Sequence, residues 1–127
     1  GILLPRHRSV RITPAVSKTA QGAIEHIPIA TTGGIPKALT RLKEYGVWTV
    51  GMDMAAGEDI YDLQVAHDPL ALVLGSEGKG LGRLTRERCD LTVRIPLLGI
   101  TESLNVGAAA AIGCFEISRQ RLTKVKR

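Results

Sequence analysis

The chain has 127 residues, a net charge of +5 and 44% hydrophobic residues. That is enough apolar content for one domain with a core and too much for a disordered chain. Aromatic residues are only 3%, which predicts an aliphatic core and excludes base-stacking platforms built on exposed rings. No apolar run approaches the ~18 residues that a membrane span needs, and the basic excess favours an anionic partner, nucleic acid above all.

In chain order, Ile2 to Leu4 reads as the end of a buried strand stopped by Pro5. Arg6, His7, Arg8 and Arg11 form a basic loop. Thr13 before Pro14 predicts a helix start, running through Ala23. Ile27 to Ala30 is a short strand leading into Thr31. Pro36 to Tyr45 is a helix with Ala38, Leu39 and Leu42 on one face, ended by Gly46 as a capping glycine. Val47 to Met52 is the next strand, and Gly57 to Asp68 a polar, acidic loop with one short element. The continuous apolar run Leu70 to Leu74 predicts a central parallel strand. Leu84 to Cys89 is a short helix and Leu91 to Ile95 the last strand. Ser103 to about Leu122 is the final helix, with Leu104, Ala108, Ala111, Phe115 and Leu122 on one face. Strands alternating with helices predict one α/β domain over residues 1–127, its sheet mainly parallel and flanked by helices.

Two strand exits, expected side by side, carry most of the information. Residues 72–81 read Leu-Val-Leu-Gly-Ser-Glu-Gly-Lys-Gly-Leu. A phosphate loop needs a glycine where Val73 stands and Ser or Thr where Gly80 stands, so that reading fails. A dinucleotide fingerprint fails too, with Arg83 or Thr85 at the third glycine position. One glycine would serve a tight turn; Gly75, Gly78 and Gly80 together predict a backbone-lined pocket beyond the carboxyl ends of the strands. Residues 95–107 read Ile-Pro-Leu-Leu-Gly-Ile-Thr-Glu-Ser-Leu-Asn-Val-Gly, a strand exit followed by a helix of small residues.

These two segments resemble the second and third signatures of the SpoU/TrmH family of RNA 2′-O-ribose methyltransferases, in the family's order. Pro5-Arg-His-Arg-Ser, Thr13-Pro-Ala-Val-Ser-Lys, Gly22-Ala and Glu25-His are similar to its ribosomal-RNA branch. The resemblance covers nearly the whole chain. It implies a C-terminal deep trefoil knot, which periodicity could not suggest and general folding rules make rare. It also implies S-adenosylmethionine bound between the knotted loops, RNA (ribosomal, with transfer RNA as the alternative) as substrate, and a homodimer. The cofactor-binding residues it implies are Leu74, Gly75, Gly78, Ile95, Leu104 and Asn105, with Thr31 either beside the same pocket or an ordinary turn residue. Glu77, Ser103 and Asn105 carry over as active-site residues: Glu77 orienting polar neighbours, Ser103 and Asn105 positioning a catalytic arginine and the cofactor end.

Plainer readings stand beside these. Ile95 and Leu104 fit core packing, Ser103 or Thr101 fits a helix cap, and Glu77 fits a solvated loop charge. Gly107 replaces a serine common in the family. The family's first signature, an asparagine and an arginine that activates the ribose hydroxyl, precedes the strand that here holds Ile2 to Leu4. The chain has no counterpart, so it is expected to be a piece truncated at its N-terminus, holding the cofactor half of the site without its base. A non-catalytic knotted module that binds cofactor or RNA is the other function class.

Arg6, Arg8 and Arg11, and then Arg83, Arg86 and Arg88, fit either phosphate contacts or a solvated surface. The small residues Ala108 to Ala111 and Gly113 fit a dimer contact or packing within one subunit. His7, His26 and His67 lack metal or catalytic spacing. Cys89 and Cys114, the only cysteines, also lack metal spacing and read as buried thiols in a reducing compartment, which predicts a cytoplasmic location with no membrane partner.

Overall fold

The computed structural model describes residues 1–6, 23–76, 79–100 and 104–123. It falls into two compact units, Gly1–Ala38 and Leu39–Arg127. In the first, strand β1 (Ile2–Pro5) pairs in parallel with β2 (Ile29–Thr32), Leu4 opposite Thr31. A 3-10 turn, Ala23–His26, precedes β2. β2 starts two residues later than the sequence suggests. Pro28 has no N–H to give a ladder, and its carbonyl instead accepts the Ile2 N–H at 2.8 Å. Ile2 and Leu3 stay exposed, contrary to the expected burial, because a two-stranded ribbon hides little side-chain surface. The helix expected from Pro14 lies outside the described residues, except for Ala23.

Helix α1 (Ile35–Glu44) follows, with Leu39 buried as expected. It ends as its sequence predicts. Gly46 sits at φ 76°, its N–H donates to Lys43 and the Val47 N–H to Leu42, both at 3.0 Å. This is the Schellman pattern that glycine favours.

The second unit is built on three parallel strands: β3 (Trp48–Met52), β4 (Leu70–Val73) and β5 (Leu91–Val93). Their order is β4-β3-β5. The parallel α/β expectation holds, but the central strand of this sheet is β3, not the run at Leu70. Consequently the exits of β4 and β5 are not neighbours; the exit of β3 lies between them. Helix α2 (Arg83–Arg88) joins β4 to β5, and α3 (Val106–Thr123) closes the chain.

The core gathers Val50, Val93, Ile95 and Ile117 with Ile60, Leu63, Val65 and Ala66. Four of these eight come from the segment expected to be a polar loop. It holds only a 3-10 turn, Ile60–Asp62, so its apolar residues follow no helix or strand period that would mark them. Arg94 fastens this segment to the end of β5: its Nε lies 2.7 Å from Asp59 Oδ1, and its carbonyl accepts the Ile60 N–H at 2.9 Å.

Helix α3 turns a different face inward from the one expected. Gly113 and Ile117 are buried and Ala109 packs on the core, whereas Phe115 and Leu122 are 78% and 83% exposed. Phe115 lies two residues from Gly113, about 200° around the helix. Gly113 faces β4 so closely that a Cβ there would stand 2.7 Å from Leu72 Cδ2. The small residue therefore serves helix-on-sheet packing within the unit. Cys114 is exposed for the same reason, and Cys89 is half-buried, so neither is the fully buried thiol expected. Burial pushes the Cys89 thiol up, opposed by Lys43 and aided by Asp90.

At the amino end of the sheet, Thr49 is fully buried. Its N–H and hydroxyl donate to Asp90 Oδ2 at 2.9 and 3.0 Å, and the Asp90 N–H donates back to Thr49 Oγ1 at 2.9 Å. Lys43 Nζ stands 3.6 Å from the other carboxylate oxygen. Burial raises the Asp90 carboxyl, but the Thr49 and Lys43 interactions outweigh it and hold the group below the usual aspartate range. A lowered carboxyl contributes stability at neutral pH that is lost as pH falls below about 3.9 and on through the native value. Asp90→Asn is therefore expected to destabilise the chain at pH 7. It should also flatten the fall in stability below pH ~4, read by urea midpoints across pH; a wild-type slope there would refute the assignment.

Candidate functional site

Parallel strands place their carboxyl ends along one edge, and pockets in such sheets form beyond that edge. Here a cleft of about 370 Å³ opens there, within the usual range of roughly 300–1,000 Å³ for small-ligand sites. The exit of β3, Met52 to Ala55, forms its floor. The exit of β4 supplies Leu74, Gly75 and Ser76, and further along the chain Lys79, Gly80 and Leu81. Ile95 comes from the exit of β5, Leu104, Val106 and Ala109 from around the start of α3, and Arg86 from α2.

In the wall that follows β4, residues 75–76 lie against residues 80–81. The Ser76 N–H donates to the Gly80 carbonyl at 3.2 Å and the Gly80 N–H to the Ser76 carbonyl at 3.0 Å. A Cβ on Gly75 would fall on the backbone of Gly80 and Leu81. Gly80 itself holds φ 67°, a left-handed conformation that side chains disfavour. Both glycines are thus needed to close the loop. Gly75 faces the cleft as expected, and its missing side chain makes room for Gly80 and Leu81.

Charge enters the cleft through Asp53 and Arg86. Arg86 Nε lies 2.6 Å from Asp53 Oδ2, and Asp53 Oδ1 accepts the Ala55 N–H at 2.9 Å. The other two arginines of α2 are also paired: Arg83 with Glu87 at 3.1 Å, Arg88 with Thr40 at 2.9 Å. The phosphate-contact reading of these three is weakened accordingly. Arg8 and Arg11 lie outside the described residues. His67 Nε2 is 2.9 Å from the Gln120 carbonyl, a structural contact. Among the described residues no cluster of metal ligands occurs, and no helix is long and apolar enough to cross a membrane.

Of the residues singled out from sequence, Leu74, Gly75, Ile95 and Leu104 meet in this one cleft. Ile95 belongs to the core as well, so wall and packing are one role. Asn105 stands between two lining residues and caps α3: its Oδ1 accepts the Ala108 N–H at 3.0 Å. The cap observed falls on Asn105, and α3 starts at Val106 rather than at Ser103; Thr101 lies outside the described residues. Thr31 lies in the first unit, inside β2 and not in a turn. Glu77, Gly78 and Ser103 lie outside the described residues. The sequence reading missed the β3 exit and Arg86. A short acidic step after a strand, Met52-Asp53, was the available signal.

Residues 1–115 match the model of the SpoU rRNA Methylase family. YacO of Bacillus subtilis, assigned to the TrmH family of tRNA/rRNA methyltransferases, is 45% identical over 121 residues, 95% of this chain and 48% of its own length. The 23S rRNA (guanosine-2′-O-)-methyltransferase RlmB of Neisseria meningitidis is 42% identical over 124 residues, 98% of this chain and 49% of its own. The chain thus spans about half the length of the curated relatives it matches. Among solved structures, the SpoU methyltransferase AviRb of Streptomyces viridochromogenes, in complex with the cofactor AdoMet, superposes with a TM-score of 0.86 at 26% identity. That match covers 97% of this chain and 48% of AviRb.

Gly75→Ala tests the loop. The added methyl group has only backbone to displace, so the substitution is expected to destabilise the fold by on the order of 1–3 kcal/mol. It should also raise amide exchange at Ser76 and Gly80. Unchanged exchange at those two amides would show that the loop closes without the glycine.

Proposed function

This chain belongs to the SpoU rRNA Methylase family, and from that premise we propose that its cleft takes S-adenosylmethionine as methyl donor for transfer to a ribose 2′-oxygen of RNA, ribosomal RNA first. The observation that carries the proposal is one cleft at the carboxyl ends of three parallel strands, with Leu74, Gly75, Ile95 and Leu104 on its walls. These are four of the residues that the resemblance to the family nominates. RlmB relatives support the 2′-oxygen and 23S rRNA; the tRNA/rRNA description of YacO keeps transfer RNA as a second substrate class to assay. The family's trefoil knot belongs to the same proposal, supported by the family membership.

The residues present suit such a donor. Met52, Leu74, Ile95 and Leu104 offer apolar walls for a heterocycle, and the strand exits offer backbone donors and acceptors. When bound, S-adenosylmethionine supplies a methyl group on a positively charged sulfur. The chain's part is to hold it, exclude water and aim it for in-line approach.

The ribose oxygen also needs a group to take its proton. Among the described lining residues the one carboxylate is Asp53, and both its oxygens are already engaged. We therefore assign no base to the cleft walls. Glu77 and Ser103 remain proposed as polar organisers of the active site, with Asn105. The engagement of Asp53 is also the observation that favours the second reading, a module that binds the donor without transferring its methyl group. For the dimer, we place the second copy against the outward face of α3, where Phe115 and Leu122 are exposed.

Titration calorimetry with S-adenosylmethionine is the direct test. Leu104→Glu puts a charge on an apolar wall and is expected to weaken binding at least tenfold; absence of binding by the wild-type chain would overturn the proposal. Asn105→Asp keeps a good cap and removes the amide. It should leave thermal stability near wild type while lowering donor affinity or methyl transfer; equal affinity and transfer would leave Asn105 as a cap alone. Methyl transfer to ribosomal and transfer RNA fragments separates the two substrate classes. For the dimer, sedimentation of Phe115→Glu is expected to give monomer where the wild type gives dimer.

A further inference from the structure

We propose that Arg86 is a positioning residue that sets the width of the cleft by tying two of its walls together. The proposal rests on the reading of the cleft as a methyl-donor site and deepens it. Arg86 Nε holds Asp53 Oδ2 at 2.6 Å, and its Nη2 reaches the Leu81 carbonyl at 3.4 Å. Asp53 belongs to the exit of β3, Leu81 to the end of the 75–81 loop. One guanidinium therefore spans the floor and the loop wall.

Each anchor is itself fixed. Asp53 is held by the Ala55 N–H at 2.9 Å, and its own N–H donates to the Val93 carbonyl on β5 at 2.9 Å. Leu81 is 5% exposed, and a Cβ on Gly51 would stand 2.8 Å from its Cδ1. Its side chain thus presses on β3 while its carbonyl meets the arginine. The Asp53 side chain is 14% exposed and that of Arg86 47%. The pair is half-immersed at the cleft rim, where its worth to global stability is small. Its consequence is geometric: without it, the loop closed by Gly75 and Gly80 has lost one tie to the floor. A planar fork that meets two acceptors at once suits arginine and not lysine.

Donor affinity and ligand-free melting, measured on Arg86→Gln, Asp53→Asn, the double variant, Arg86→Lys and the Leu104→Glu control, test this. Arg86→Gln is expected to weaken S-adenosylmethionine binding about tenfold with little change in melting. Asp53→Asn should do the same. The double variant should be no worse than either single one, because both break one tie. Arg86→Lys should recover part of the affinity by keeping the charge. Affinity within twofold of wild type for Arg86→Gln, or losses that add in the double variant, would overturn the tie. If Leu104→Glu weakens binding while Arg86→Gln does not, only the tie falls; if the wild-type chain binds no donor, both readings fall together.

Discussion

The cleft depends on a close approach of the chain to itself. The backbone of Gly80 and Leu81 comes so close to Gly75 that no side-chain carbon fits at position 75. Two reciprocal hydrogen bonds between Ser76 and Gly80 then hold this approach. Had β4 run on into a helix at once, there would be floor but no wall. Gly75 and Gly80, two of the glycines that invite a phosphate-loop reading, serve chain closing on chain.

The same device recurs beneath the cleft. Gly51 lets Leu81 and Cys89 press on the middle strand, and Gly113 lets α3 lie on β4 against Leu72. Close approach of aliphatic groups brings dispersion contacts that a chain so poor in aromatic rings must gather in small pieces. The sheet is held differently at its two ends. At the amino end the buried Thr49 exchanges hydrogen bonds with a partly exposed Asp90; at the carboxyl end an ion pair joins Asp53 to the more exposed Arg86.

Legibility in the sequence followed periodicity and local chemistry. The parallel α/β class, α1 with its glycine cap, and the apolar strands could be read because each obeys a period or a capping rule. The face of α3 could not, because the helix is apolar nearly all round, from Ala108 to Phe115. Helical spacing grouped Phe115 with Leu104, Ala108, Ala111 and Leu122, whereas the sheet selected Gly113 for its small size. The burial of Ile60, Leu63, Val65 and Ala66 was hidden for the opposite reason: no regular element carries them. Strand order was beyond reach as well. Nothing local to Leu70–Val73 says that β3 pairs on both sides, and that pairing puts Asp53 into the cleft between the two exits that the signatures marked.

Asn105 shows why signature residues resist a division into structural and functional. The first turn of α3 has backbone N–H groups with no partner inside the helix, and the Asn105 side chain takes the one on Ala108. That bond fixes where the helix starts. The start fixes Val106 and Ala109 on the cleft, and Leu104 on its other side. A residue that caps here therefore shapes the apolar wall even if it never touches a ligand. Removing the side chain altogether would disturb helix and wall together and could not tell capping from contact. Aspartate can tell them apart, because it keeps the accepting oxygen and discards only the amide.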